Sequence, residues 1–201
     1  ALRSVVRPVV LIGAAVIVLA QFAITGFAVL RDPFLGALTL MSAVPALALA
    51  GYIWYGDPTR RESLASLVVT FLLGVAFAGF AAVVNTLLSP VLTWIPVVGM
   101  ALFFFLVVGP VEELVKLLAV RFFAYRLPEF DAVVDGAVYG AVAGLGFASI
   151  ENLIYITRVY LQTVQMGGNV LPATVGIAGV RSLAGPGHVI YSAFAGYYLG
   201  L

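Results

Sequence analysis

The sequence predicts an all-α membrane protein, a polytopic bundle of about six or more transmembrane helices. Of its 201 residues, 63% are hydrophobic and only 9% are charged, and the mean hydropathy is +1.15. Soluble domains have about a quarter of their residues charged, so this chain is too apolar for a soluble core. Several apolar runs reach the ~20 residues that a helix needs to cross the hydrocarbon layer. These runs lack the alternation of apolar and polar residues that is typical of a membrane barrel.

The first predicted span covers residues 9–30 and follows Arg3 and Arg7. A signal peptide over residues 1–23 is the alternative interpretation, because basic residues precede an apolar run in both cases. The run continues to Leu30, which is longer than the apolar core of a usual signal peptide. We therefore favour a membrane span.

Five further segments are apolar enough to be membrane helices. They cover residues 34–55, 64–88, 97–123 and 136–160, with a sixth span after the glycine-rich stretch MGGNVLPATVGIAGV. Pro45 should kink the second span, SPVLTWIP is predicted to be a turn, and GPG at 185–187 is predicted to break the sixth helix. Lys and Arg are concentrated in alternate connections, which predicts a multi-pass protein of the cell membrane with a cytoplasmic N-terminus.

No internal repeat or shift in composition divides the chain, so residues 1–201 are predicted to form a single transmembrane domain. The sequence ends within the apolar run SAFAGYYLGL, which we interpret as a C-terminal truncation.

Several kinds of chemistry and partner are excluded by residues that the sequence lacks. There is no cysteine, which excludes disulfides, thiolate metal ligands and a cysteine nucleophile. There is no H-E-x-x-H motif, and Asp135 has no obvious acidic partner for an aspartyl protease. A serine nucleophile activated by lysine or histidine is a further alternative, although no G-x-S-x-G motif is present. No basic patch suggests a nucleic acid partner.

Ionisable residues inside the predicted spans are the candidates for function. They are Glu112, Glu113 and Lys116 in GPVEELVKLLAV, Glu151 in GFASIENLIY, and the single histidine His188 in GPGHVIYSAFAGY. Charged groups near mid-membrane cost several kcal/mol on insertion scales and usually face the interior of the bundle. A buried ion pair that only fixes helix packing is the alternative for the first group.

The spacing of these residues suggests how they interact. Lys116 follows Glu112 by four residues and Glu113 by three, so it can pair with either carboxylate on one helix face. Adjacent carboxylates in a dry place cannot both ionise easily, which suits a general acid or base. A cavity at the predicted break before His188 would also include Arg181 and Ser192, with Asp135 at its edge.

These residues fall into three short motifs on successive hydrophobic helices. They are E-E-x-x-K at Glu112, Glu113 and Lys116, F-x-x-x-E-N at Phe147, Glu151 and Asn152, and a histidine motif at His188 followed by GYYLG. With these motifs in order over residues 97–201, the sequence resembles the PrsW family of bacterial membrane proteases. That family belongs to a wider superfamily with the type II CAAX prenyl proteases and the bacteriocin-processing enzymes. Where such proteins often have Asp or Asn four residues after the histidine, this chain has Ser192.

The resemblance implies hydrolysis of a peptide bond at or in the membrane, typically in a membrane-anchored regulator such as an anti-sigma factor. Our hypothesis assigns Glu112 or Glu113 as the general base, with Lys116 holding the other carboxylate. His188, with Asn152 nearby, would donate to the developing oxyanion or position the water. With one histidine and no cysteine, we favour metal-free glutamate catalysis. Zinc is the alternative, with Glu113, Glu151 and His188 as its ligands.

Two functions other than proteolysis use the same residues. In a transporter or ion pathway, the buried carboxylates and His188 would form a proton relay or cation site, although no inverted repeat is apparent. In a membrane scaffold, they would serve only packing and partner binding. The expected partners of a protease are the lipid bilayer and a membrane-anchored protein or peptide substrate.

Overall fold

The computed structural model describes residues 30–56 and 62–201, with a few single positions before residue 30. Its α-helices are α1 (Pro33–Tyr55), α2 (Leu64–Thr93), α3 (Gly99–Phe103), α4 (Gly109–Phe122), α5 (Val133–Gln165) and α6 (Val170–Gly200). A π-helical turn, Phe104–Val108, joins α3 to α4, and a 3₁₀ turn, Ala124–Arg126, follows α4. No strand occurs in these ranges, which confirms the all-α prediction. Most of the first predicted span, residues 9–30, lies outside the described residues.

Three of the helices, α1, α2 and α5, are long and apolar enough to cross a membrane. The part of the chain that the structure describes therefore supports a membrane protein but does not establish six or more spans. The predicted fourth span is divided, because the π-helical turn separates α3, of 5 residues, from α4, of 14 residues. Pro110 at the start of α4 lacks the amide hydrogen that a regular helix would use there.

One predicted interruption is wrong and another begins later than expected, because the helices continue through their prolines. Helix α2 passes Pro90 and ends at Thr93, so the first part of SPVLTWIP is helical and the turn begins at Trp94. Helix α6 runs unbroken through the predicted break and contains Pro186. A proline removes one backbone donor from a helix, and tertiary packing can offset that loss. Here Gly185 lies close to α1, where an added Cβ would be 3.1 Å from the Cβ of Ala46.

Helices α5 and α6 approach so closely that their backbones touch. Gly136, Gly140 and Gly144 recur at every fourth position of α5 and form a stripe on one helix face. A Cβ added to any of them would collide with a backbone carbonyl of α6. The opposing carbonyls belong to Gly196, Ser192 and His188, in that order. Each turn toward the C-terminus of α5 therefore corresponds to one turn toward the N-terminus of α6. This stripe fixes the antiparallel register of the two helices.

A second glycine contact holds α5 against α2. Gly146 of α5 faces the carbonyl of Phe71, and Gly74 of α2 faces the carbonyl of Ala143. Because α5 also packs on α1 and α4, it is the central helix of the described bundle. Small residues in membrane helices permit such approaches, and dispersion contacts between the backbones then stabilise the pair.

A buried carboxyl group lies just before α2, outside the spanning segments. Glu62 is only 4% exposed, and its Oε2 lies 2.6 Å from the hydroxyl oxygen of Tyr139 on α5. The same hydroxyl lies 2.7 Å from Oε1 of Glu129, in the connection between α4 and α5. One phenolic hydrogen cannot serve two carboxylates, so one carboxyl must carry a proton to complete both contacts. Burial raises the pKa of Glu62 to about 7, against the hydrogen bond from Tyr139, which lowers it.

Replacing Gly140 with Ala should destabilise the protein by about 1–3 kcal/mol, because the new methyl group meets the backbone of α6 and overpacks the interface. The matched control is Gly179→Ala on α6, where nothing lies within 4 Å of an added Cβ. The control should be neutral or slightly stabilising, since Ala is the better helix former. The measurement is the free energy of unfolding in detergent micelles, and equal values for the two variants would contradict the proposed register.

The stability of the protein should fall as pH rises from 4.5 to about 7. Over that interval the folded protein keeps a proton on Glu62 that the unfolded chain releases at its ordinary pKa. Stability from this group is therefore greatest below pH 4.5 and is lost by about pH 7. Glu62→Gln should remove that part of the pH dependence of the unfolding free energy, whereas Asp131→Asn, at an exposed position, should keep it. An unchanged slope in Glu62→Gln would refute the assignment.

Candidate active site

The fold brings the three motifs together, one from each of three adjacent helices. Helix α4 supplies Glu112, Glu113 and Lys116, α5 supplies Phe147, Glu151 and Asn152, and α6 supplies His188 and Ser192. Each of these residues contacts, or lies within a few ångströms of, another member of the group. The geometry therefore brings the motif residues together, while their roles stay predictions.

Lys116 is the hub of this group and is only 1% exposed. Its Nζ lies 2.6 Å from Oε1 of Glu113 and 2.8 Å from Nδ1 of His188. It also lies 4.4 Å from the ring centroid of Phe147, which stacks on the imidazole of His188. A charged ammonium group can only donate hydrogen bonds, so Nδ1 of His188 accepts and Nε2 carries the ring hydrogen.

The hydrogen on Nε2 of His188 points at Glu151. The distance from Nε2 to Oε2 of Glu151 is 2.8 Å, and Nη2 of Arg181 lies 2.7 Å from the same oxygen. The Nε of Arg181 donates to Oδ1 of Asn152 at 2.8 Å. Asn152 is fully buried, and its Nδ2 lies 3.4 Å from the carbonyl oxygen of Ser42 on α1. Both ends of the Asn152 amide are thus engaged within the protein, so this residue orients Arg181.

The two adjacent glutamates have different surroundings. Glu113 is held at both oxygens, by Lys116 at Oε1 and by Ser192, whose hydroxyl lies 3.4 Å from Oε2. Among the described residues, Glu112 has one long hydrogen bond, 3.4 Å from Oε1 to the side-chain amide of Asn85 on α2. Ligand atoms of Glu112, Glu151 and His188 lie within 4.8 Å of one another. The structure thus groups Glu112, rather than Glu113, with the other two possible metal ligands.

This group of Glu112, Glu151 and His188 has the donor types that suit a divalent metal ion such as zinc. Two carboxylates and one imidazole are common zinc ligands, and the residues come from three different helices. Two contacts would have to change on metal binding through Nε2. The hydrogen bond from Nε2 to Oε2 of Glu151 would be lost. The ring hydrogen would move to Nδ1, and the ammonium group of Lys116 could no longer donate to that atom. The donor set therefore fits a metal, provided that Lys116 turns away.

Two contributors were missed or only partly anticipated by the sequence motifs. Arg181, which the sequence suggested only through the supposed helix break, binds Glu151 and Asn152 directly. Asn85 was not anticipated, although a single amide in the apolar run of α2 is a signal that could have found it. Asp135 does not join this group. Its Oδ2 accepts hydrogen bonds from the backbone amides of Asp131 and Ala132 and caps the start of α5.

The amino-acid sequence matches a family profile described as "PrsW family intramembrane metalloprotease" over residues 62–201. The matched range includes all of the motif residues and α2, with Asn85. It extends beyond residues 97–201, where the motifs alone carried the resemblance.

Individual relatives cover most of the chain. Protease PrsW of Halalkalibacterium halodurans is 31% identical over 175 residues, which are 82% of this chain and 69% of that protein. Protease PrsW of Geobacillus kaustophilus is 30% identical over 81% of this chain and 66% of its own length. Protease PrsW of Clostridioides difficile is 30% identical over 81% of this chain and 64% of its own length. The chain thus spans about two thirds of the length of these relatives. No solved structure matches the chain significantly.

Replacing Lys116 with Met should destabilise the protein, because it leaves Glu113 and His188 without their shared donor. The expected loss lies near the lower end of the ~3–5 kcal/mol typical of a broken buried pair, since the side chain of Glu113 is 34% exposed. Arg121→Met, at an exposed position of the same helix, is the matched control and should cost at most about 1 kcal/mol.

The measurement is a double-mutant cycle of unfolding free energies with Glu113→Gln. The double variant should recover part of the lost unfolding free energy, because it removes the carboxylate that Lys116→Met leaves without a partner. A Lys116→Met variant no less stable than the Arg121→Met control would contradict the role of Lys116 as the donor shared by Glu113 and His188.

Proposed function

The chain belongs to the PrsW family of membrane-embedded peptidases, and from this premise we propose that it is an endopeptidase whose buried carboxylates activate a water molecule. The observation that carries the proposal is the convergence of Glu112, Glu151 and His188 within 4.8 Å, next to a lysine that is 1% exposed. Hydrolysis of an amide needs a base for the water, a donor for the oxyanion and a proton for the leaving amine. This group contains a candidate for each.

Glu112 is our candidate for the general base. Of the two glutamates in the E-E-x-x-K motif, Glu113 is neutralised by Lys116 and contacted by Ser192, so its lone pairs are largely occupied. Within the described part of the chain, Glu112 has only the long hydrogen bond with Asn85, and it lies beside Glu151 and His188. A carboxylate with few hydrogen bonds of its own is better placed to accept a proton from a water molecule. Having accepted it, Glu112 can return it to the leaving amine.

His188 is our candidate for the oxyanion donor. The contact with Lys116 places the ring hydrogen on Nε2, and Phe147 stacks on the ring and restricts its orientation. A preorganised donor stabilises charge that develops in the transition state without further reorganisation. The hydrogen bond from Nε2 to Glu151 would be exchanged for one to the substrate oxygen. Asn152 is not proposed as a second donor, because its amide is engaged by Arg181 and Ser42.

The description of the family as metalloproteases makes metal dependence a part of the proposal that must be tested. Glu112, Glu151 and His188 would hold the ion, and Glu113 would then be the carboxylate left to accept a proton. A bound zinc ion would act as a Lewis acid and lower the pKa of a coordinated water. The sequence has only one histidine and no cysteine, and for this reason we still favour the metal-free mechanism with Glu112 as the base.

We propose a membrane-anchored protein, such as an anti-sigma factor, as the substrate. The support is family membership together with the position of the site, which is built from α4, α5 and α6 within an apolar bundle. The π-helical turn immediately before α4 in the chain carries large, apolar and exposed residues. They include Phe104, Phe105 and Leu106. Such a surface suits a substrate segment that is itself apolar.

Glu112→Gln should lower kcat by about 10²- to 10⁴-fold, because glutamine cannot accept the proton of the water. The measurement is cleavage of membrane-anchored peptides in liposomes, read by mass spectrometry. Glu151→Gln and His188→Ala should also reduce cleavage, whereas Asp131→Asn, at an exposed position outside the site, should cleave like the wild type. Full activity of Glu112→Gln would refute its assignment as the base.

The same assay with a chelator decides between the two mechanisms. Cleavage that is indifferent to the chelator would support the metal-free mechanism. Inhibition that added zinc reverses would show a metal-dependent one, with Glu113 as the base to test next. Failure of the folded wild-type protein to cleave any membrane-anchored peptide would contradict the peptidase proposal as a whole.

A further inference from the structure

Arg181 lies outside the three motifs, yet its side chain contacts three residues of α5. Its Nη2 donates to Oε2 of Glu151 at 2.7 Å and its Nε donates to Oδ1 of Asn152 at 2.8 Å. The guanidinium carbon lies 4.6 Å from the ring centroid of Tyr155, one turn after Glu151 on α5. Arg181 itself is only 9% exposed. A planar guanidinium with several fixed donors can hold two neighbouring acceptors at once, which a lysine cannot do.

The helix periods explain why Arg181 and His188 reach the same carboxylate. They are seven residues apart on α6, about two helical turns, and therefore lie on the same face. This face of α6 is the one that lies against the glycine stripe of α5. Arg181 and His188 therefore reach the carboxyl of Glu151 from two positions along α6. Both donate to the same atom, Oε2.

The hydrogen bonds to Glu151 leave its two oxygens unequal. Among the residues that the structure describes, the hydrogen bonds and ion pairs of the Glu151 side chain are all made through Oε2. The second oxygen, Oε1, is therefore the one left for a water molecule, a substrate hydrogen or a metal ion. If Arg181 were absent, His188 alone would fix the plane of the carboxyl group, and the hydrogen bond from His188 is the one that the proposed mechanism exchanges for the substrate oxygen.

We propose that Arg181 is a positioning residue for peptide hydrolysis, which holds Oε2 of Glu151 against α6 so that Oε1 faces the reacting groups. This inference rests on the proposed function of the site. Asn152 links this arrangement to helix α1. It receives the Nε hydrogen of Arg181 and contacts the carbonyl of Ser42, so the orientation of Glu151 is tied to α1 as well. Residues that orient a functional carboxylate in this way typically alter activity 10- to 100-fold when they are replaced.

The test compares Arg181→Ala, Arg181→Lys and Arg158→Ala in the liposome cleavage assay. Arg158 is the matched control, an exposed arginine on α5. We expect Arg181→Ala to lower kcat by about 10- to 100-fold with KM nearly unchanged. Arg181→Lys keeps the charge but cannot hold Glu151 and Asn152 together, so it should also lower kcat. Arg158→Ala should match the wild type.

Chemical rescue separates positioning from a structural role. Guanidinium ion, added at concentrations that do not unfold the wild type, should restore part of kcat in Arg181→Ala by occupying the vacated site. It should not restore Glu151→Gln or raise the activity of the wild type. A folded Arg181→Ala variant that stays inactive with guanidinium has lost only packing, and this result would overturn the inference.

The remaining outcomes are also decisive. If Arg181→Ala does not fold, Arg181→Lys carries the test, and a folded Lys variant with wild-type kcat would overturn the inference. Wild-type activity combined with full activity of both Arg181 variants would refute positioning by Arg181 and leave the peptidase proposal intact. If the folded wild type cleaves nothing, the proposed function fails first and the inference falls with it.

Discussion

The close approach of α5 and α6 is the constraint on which the site depends. Glycines at every fourth position of α5 meet backbone carbonyls at every fourth position of α6, so the two helices can pair in only one register. In that register, the backbone of His188 lies against Gly144. Two turns further along, Arg181 reaches Glu151. A side chain larger than hydrogen in the stripe would separate the helices and move every donor on α6 away from its acceptor on α5.

Charge balance is the second requirement of a site built inside an apolar bundle. The group contains the carboxyls of Glu112, Glu113 and Glu151, and the cations Lys116 and Arg181 offset two of them. An isolated buried charge is very costly, whereas a paired and hydrogen-bonded one is tolerated. The carboxylates that the cations hold are less free to accept a proton. Glu112 is held by neither cation, which is the reason we propose it as the base.

The motifs made much of the site predictable, and packing decided the rest. Sequence spacing allowed Lys116 to pair with Glu112 or Glu113, since residues three and four apart both face it on a helix. The structure selects Glu113, because α6 places His188 and Ser192 on that side of Lys116. The predicted break before His188 was wrong for a related reason. Contact with α1 at Gly185 supports the helix across Pro186, and no local signal reports that contact.

The sequence by itself determined that this is a helical membrane protein with three ordered motifs, and thereby its family. Those properties depend on composition and on spacing along one helix, which a single chain displays directly. Only the tertiary structure decided which carboxylates gather with His188, that Arg181 and Asn85 belong with them, and that Asn152 faces the protein interior. These facts depend on which helix faces lie opposite each other. That arrangement is set by the register of α5 with α6 and by the contacts of α5 with α1 and α2, between residues far apart in the chain.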